Sequence, residues 1–183
     1  MPGRKAVFLD RDGVLNDITV RGTTPYPPAN RNEVRILPGV PEALAELKSA
    51  EFLLIVVTNQ PDVARGTQSA AEVDAINAVL AENLPLDEFR VCMHDNADNC
   101  LCRKPKPGMI LQSAAANGID PAASFMVGDR AGDVLAGAAA GCRTILIARP
   151  YSNAGQCRPD FTAQSLAEAA RIIIGLDHAA VSE

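Results

Sequence analysis

The 183-residue chain has no tryptophan, and its aromatic residues together make up 4%. Stacking platforms for single-stranded nucleic acid need aromatic faces, so the composition disfavours that function. Positive charge is also in short supply: 17 Lys and Arg face 22 Asp and Glu, a net charge of −5. A protein that binds nucleic acid by neutralising phosphates is normally basic. No stretch approaches the roughly 20 apolar residues of a membrane span. The apolar run near the N-terminus, Ala6–Leu9, is too short for a signal peptide, so the expected compartment is the cytosol. Five cysteines, an odd number in a chain without an export signal, argue against a disulfide framework. There is no internal repeat and no low-complexity linker.

Apolar residues, at 48%, are present in globular proportion. Five short runs are almost continuously apolar: Ala6–Asp10, Phe52–Asn59, Phe89–His94, Ser124–Asp129 and Arg143–Ala148. Such runs suit strands buried on both faces. Between them lie segments of helical character, Val40–Ala50, Ser69–Leu84, Pro107–Asn117, Arg130–Ala140 and finally Ser165–Ile174. Ser69 with Glu72 three residues on is a capping-box pattern, and Pro107 and Asn117-Gly118 are start and stop signals. Alternation of this kind predicts an α/β, Rossmann-like three-layer sandwich with a mainly parallel five- to six-stranded sheet. One domain is expected over residues 1–183, with an irregular tail over 177–183. Asn16–Ile36 and Asp95–Gly108 have no clean period and read as loops or hairpins. The intervals between motifs leave no room for a separate cap domain, so the site is expected to be open.

Four polar motifs follow successive predicted strands or open the next helix. In an open parallel sheet, ligands bind at the carboxyl ends of the strands. Asp10-Arg11-Asp12-Gly13 puts two carboxylates in one crevice, which repel unless a cation lies between them or one is protonated. Its bland reading is a polar turn with an internal ion pair. Thr58-Asn59-Gln60 offers a hydroxyl and amides for a phosphate oxygen, or simply a polar strand end. Arg103-Lys104-Pro105-Lys106 is either a solvated basic loop or a lysine aimed at an acidic crevice. Gly128-Asp129-Arg130-Ala131-Gly132-Asp133 adds two carboxylates at the same edge. Separately each is weak; their common position is hard to obtain by chance.

Three cysteines, Cys92, Cys100 and Cys102, surround His94, one of two histidines. Three thiols and an imidazole form a closed zinc set, and soft ligands select zinc over magnesium. Such a site would be structural and would order the polar segment 95–99. Buried reduced cysteines are the alternative. Cys142 and Cys157 have no evident partners.

Asp10-x-Asp12-Gly13, Thr58, Lys104 and Gly128-Asp129-x-x-x-Asp133 together resemble the haloacid dehalogenase-like (HAD-like) phosphatases, from residue 6 to about 148. With the cysteine cluster and Cys102-Arg103-Lys104-Pro105, the match is to the histidinol-phosphatase and heptose-bisphosphatase branch. The resemblance implies that Asp10 attacks phosphorus and that Asp12 serves as acid and base. Mg²⁺ would be held by the Asp10 carboxylate, the Asp12 carbonyl and Asp129. Thr58 and Lys104 would hold phosphoryl oxygens, and Arg11, Asn16, Asn59, Gln60, Arg103 and Arg130 would contact substrate. The branch implies a small phosphorylated sugar, heptose 1,7-bisphosphate losing its 7-phosphate, with histidinol phosphate as the alternative. A silent phospho-ligand-binding module is the non-enzymatic alternative. A monomer that binds neither nucleic acid nor membrane is expected. Asp17–Thr23 lacks the Gly-Tyr pair of heptose bisphosphatases, and Arg130 stands where relatives often have Lys.

Overall fold

The computed structural model describes residues 3–22 and 24–181. Six parallel strands form one sheet. In chain order they are β1 (Ala6–Leu9), β4 (Leu53–Asn59), β5 (Glu88–Cys92), β6 (Phe125–Gly128), β7 (Arg143–Ile147) and β8 (Phe161–Ala163), and in space β5-β4-β1-β6-β7-β8. Side chains alternate across a strand, and β1 shows why its whole length is apolar. Val7 and Leu9 enter one core with Leu44, Ile76 and Ile173, while Ala6 and Phe8 enter the other with Ile110 and Ala136. The first core is closed by α1 (Val40–Ser49), α2 (Ala70–Asn83) and α5 (Leu166–Val181), the second by α3 (Gly108–Asn117) and α4 (Ala131–Ala140). This is the expected three-layer α/β sandwich.

The five expected strands are present within a few residues. The sixth, β8, is only three residues long, and its partner is distant: Ile145 pairs with Phe161. Thr19–Arg21 (β2) and Thr24–Tyr26 (β3) form an antiparallel hairpin above the sheet's carboxyl edge. Ser69 Oγ accepts the Glu72 N–H as its pattern predicts, but Glu72 does not return the bond. Its carboxylate accepts the Arg31 N–H instead, at 2.9 Å, and pins the segment after the hairpin. The expected irregular tail is a correction: α5 continues to Val181, tied down where Lys5 Nζ meets Asp177 at 2.6 Å. Residues 182 and 183 of that tail lie outside the described residues. No helix among the described residues is long and apolar enough to cross a membrane.

Candidate active site

Strands β1, β4 and β6 are adjacent, so the residues at their carboxyl ends converge. Asp10 follows β1, Thr58 and Asn59 end β4, and Asp129 follows β6. Asp10, Thr58 and Asn59 line a cavity of about 330 Å³ together with Asp12, Lys104, Asp133, Arg103 and Arg130, and Asp129 lies behind that lining. Pro25 of the hairpin and Ile18 and Pro27 at its ends form an apolar wall.

Lys104 arrives from the loop before α3, and Asn59 fixes it there. The Asn59 amide donates to the Lys104 carbonyl at 3.0 Å and accepts the Lys104 N–H at 3.1 Å. Lys104 is 7% exposed, and its ammonium lies 2.9 Å from Asp10 Oδ1 and 2.6 Å from Asp133 Oδ1. It also donates to the Val57 carbonyl at 2.7 Å. Burial opposes its charge, but Asp10 and Asp133 more than offset this and raise its pKa. Both hydrogen bonds to Asp10, from Lys104 Nζ and the Arg11 N–H, go to Oδ1.

Asp12 sits in a cage of donors. Arg11 reaches both its oxygens, at 3.2 and 3.1 Å; Asn16 Nδ2 donates at 3.0 Å and Gln60 Nε2 at 2.8 Å. Burial opposes ionisation, yet Arg11 and these hydrogen bonds hold the carboxyl below its ordinary range. Gln60 Nε2 also donates to Thr58 Oγ1 at 2.9 Å.

Two expected substrate contacts are corrections. Arg11 and Asn16 are both 0% exposed and neither lines the cavity. Arg11 spends its guanidinium on Asp12 and on Asn77 Oδ1 of α2, at 2.9 Å, so it acts behind Asp12. Asn16 spends its amide on Asp12 and on the Asp17 carbonyl. Asn59 borders the cavity, but its amide is committed to Lys104.

Asp10, Asp129 and Asp133 offer oxygens that lie within 4.8 Å of one another. Gly128 permits this approach, because a Cβ there would collide with the Asp133 side chain. Burial, then the neighbouring carboxylates, push Asp129 up to about 8. Burial and Asp133 push Asp10 up to about 6 against the pull of Lys104. Asp129 Oδ1 is buried without a partner. Four carboxylates, counting Asp12, face two cations, Lys104 and Arg11. Carboxylates outnumber the cations among them, and with the orphaned oxygen the site fits a hard divalent cation.

The second donor set lies beyond β5. Sγ of Cys102 is 3.2 Å from that of Cys92 and 3.4 Å from that of Cys100, and Cys92 to Cys100 is 3.7 Å. His94 Nδ1 is 3.3 Å from Cys102 Sγ and 3.7 Å from Cys92 Sγ. A disulfide needs about 2.05 Å, whereas a tetrahedron with zinc–sulfur bonds of about 2.3 Å has edges of about 3.8 Å. The donors therefore fit zinc. Arg103, next to Cys102, donates from Nε to Asn96 Oδ1 at 2.7 Å and from Nη1 to the His94 carbonyl at 3.3 Å. Arg65 clamps the same loop through Asp95, at 2.8 Å on each oxygen.

Sequence reasoning missed Asn77 and Tyr151. Asn77 interrupts the apolar face of α2 between Ile76 and Leu80, a polar residue where core is due. Tyr151 Oη donates to Asp129 Oδ2 at 2.8 Å. Its signal was its place just beyond a strand's carboxyl end, at the edge where ligands bind.

The HAD-hydrolase-like family matches residues 101–169. D-glycero-beta-D-manno-heptose-1,7-bisphosphate 7-phosphatase of Pasteurella multocida is 36% identical over 94% of this chain and 98% of its own. The enzyme of that name from Haemophilus influenzae is 34% identical over 92% and 96%. The crystal structure of D,D-heptose 1,7-bisphosphate phosphatase from B. bronchiseptica, complexed with magnesium and phosphate, superposes with a TM-score of 0.80. It is 31% identical and covers 94% of this chain and 99% of that one. Identity at that level along nearly the whole of both chains means that the protein belongs to the HAD-like hydrolases, in their heptose-bisphosphate phosphatase branch.

Proposed function

We propose that the protein is a Mg²⁺-dependent phosphoric monoester hydrolase. Its substrate is D-glycero-β-D-manno-heptose 1,7-bisphosphate, from which it removes the 7-phosphate. The observation that carries this reading is Asp10 in one cavity with Asp12, its Oδ1 held by Lys104 Nζ at 2.9 Å. The substrate assignment rests on the relatives from Pasteurella multocida and Haemophilus influenzae.

In this mechanism Asp10 attacks phosphorus with Oδ2, the oxygen to which neither Lys104 nor Arg11 is bonded. The P–O bond to the C7 oxygen breaks, and Asp12, which enters this step carrying the proton it took from water in the preceding turnover, donates it to the departing alkoxide. Asp12 then takes a proton from water, whose oxygen attacks the aspartyl-phosphate. Inorganic phosphate leaves and Asp10 is restored. Arg11, Asn16 and Gln60 hold Asp12 in position for both proton transfers. The carboxylates of Asp10 and Asp129 and the Asp12 carbonyl would hold magnesium, which would supply charge neutralisation and orientation for the phosphoryl oxygens. Thr58, whose hydroxyl accepts from Gln60 and keeps its own proton to donate, holds one of those oxygens, and Lys104 offsets their charge from beside Asp10. Arg103 and Arg130, on the cavity lining, receive the phosphate that does not react. Cys92, His94, Cys100 and Cys102 hold a structural zinc that orders the loop carrying Arg103 and Lys104.

The test is kcat/KM with Mg²⁺ for heptose 1,7-bisphosphate, heptose 1-phosphate, histidinol phosphate and an aryl phosphate, repeated with EDTA. The bisphosphate is expected to lead, and EDTA to abolish turnover of all four. A lead for histidinol phosphate would move the enzyme to the sister activity. Absence of turnover on the whole panel would leave only a binding module.

A further inference from the structure

Tyr151 belongs to none of the four polar motifs, yet it touches the most buried carboxylate of the acidic cluster. Its hydroxyl donates to Asp129 Oδ2 at 2.8 Å, while Oδ1 is buried without a partner. One oxygen is tied back to the loop after β7, and the other is left over in a cluster that suits a divalent cation.

The loop is built to hold that hydroxyl in place. The Ser152 carbonyl accepts the Ala131 N–H at 3.0 Å, which joins the loop to the first residue of α4. The Ser152 N–H donates to the Arg149 carbonyl at 3.1 Å, and Ser152 Oγ accepts the Arg149 N–H at 2.8 Å. The same hydroxyl donates to the Ile147 carbonyl at the end of β7, at 3.3 Å. Arg149 Nη2 reaches the Gly13 carbonyl at 3.4 Å, in the turn that follows Asp10 and Asp12. Gly13 has φ +81° and makes the necessary room. A Cβ there would collide with Asp129 Oδ2 and lie 2.8 Å from Tyr151 Oη.

We propose that Tyr151 is a positioning residue for the divalent-cation site, its hydroxyl holding Asp129 in the rotamer that presents Oδ1 to the cation. This rests on the reading of Asp129 as a magnesium ligand. A carboxylate pinned at one oxygen has less rotameric freedom to lose when the other binds metal. Removing such an outer partner typically weakens metal binding 10- to 100-fold. The turn over 149–152 thereby links the cation site to a loop whose Asn153 and Gln156 line the cavity.

The experiment titrates Mg²⁺ alone into full-length, magnesium-depleted protein by calorimetry, for wild type, Tyr151→Phe and Asp129→Asn. Tyr151→Phe should raise the Kd about 10- to 100-fold. Its melting temperature without Mg²⁺ should match wild type, and its kcat should recover when Mg²⁺ is saturating. Asp129→Asn should bind no measurable Mg²⁺. An unchanged Kd in Tyr151→Phe, with binding lost in Asp129→Asn, would overturn the proposal and leave the metal reading intact. Undiminished binding in Asp129→Asn would overturn the metal reading itself, and the proposal with it. A fall in the metal-free melting temperature of Tyr151→Phe, with kcat lost at any Mg²⁺ concentration, would make the tyrosine purely structural and also overturn the proposal.

Discussion

Replacing Arg103 by alanine separates recognition of the far phosphate from chemistry at the near one. Arg103 lines the cavity, but two of its N–H groups already hold the loop, one on Asn96 Oδ1 and one on the His94 carbonyl. A guanidinium carries five N–H groups, so the remainder can grip a phosphate at a preset angle. A hydrogen bond to a charged partner contributes about 1.5–3 kcal/mol, which is roughly 10- to 150-fold in kcat/KM. That loss should appear with heptose 1,7-bisphosphate and be nearly absent with an aryl monophosphate, which has no distal charge. Lys104→Ala should penalise both substrates alike, because its ammonium lies on Asp10. The assay is kcat/KM on both substrates, with zinc content and melting temperature measured to show that the loop has stayed in place. Equal losses on the two substrates would put Arg103 in the catalytic centre and remove the main support in the site for a bisphosphate.

Asp12→Asn should lose about 10²- to 10⁴-fold in kcat on the sugar phosphate, the usual worth of a positioned acid and base. On an aryl phosphate, whose leaving group needs no proton, the first step should be largely spared and the aspartyl-phosphate should accumulate, because the base for water is gone; a first step slowed equally on both substrates would refute the acid role. Asn77→Leu should cost about 1–3 kcal/mol in urea unfolding, because it leaves a donor of the fully buried Arg11 unpaired. A change below about 0.5 kcal/mol would show that Arg11 finds another partner. Zinc should be present at about one equivalent without added metal, and Cys100→Ser should lower both zinc content and melting temperature. Stable, active protein without zinc in elemental analysis would refute the structural site.

Much of this architecture is written locally. A run such as Leu54-Ile55-Val56-Val57 is apolar at every position because both faces of its strand are covered, and no partner need be known to see it. The motifs Asp10-x-Asp12, Thr58 and Gly128-Asp129 directly follow or end such runs, so the carboxyl edge of a parallel sheet brings them together. The cysteine spacing is equally local, and the sulfurs do meet. The destination of a long side chain is not local. Arg11 turns inward because Asn77, 66 residues away, supplies a buried acceptor for it. Asn59 is committed because Lys104, 45 residues away, brings both a carbonyl and an N–H to its amide. Tyr151 matters only because β7 lies beside β6 and its loop falls over Asp129. The three residues of β8 become a strand through pairing with β7, and α5 runs past its expected end to where Lys5 holds Asp177. The sequence by itself therefore determined the layers, the edge of the sheet and the residue types gathered there, since pattern and spacing carry these. The tertiary structure alone decided which polar groups face the cavity and which stand behind it, because a buried donor or acceptor goes wherever a distant segment satisfies it.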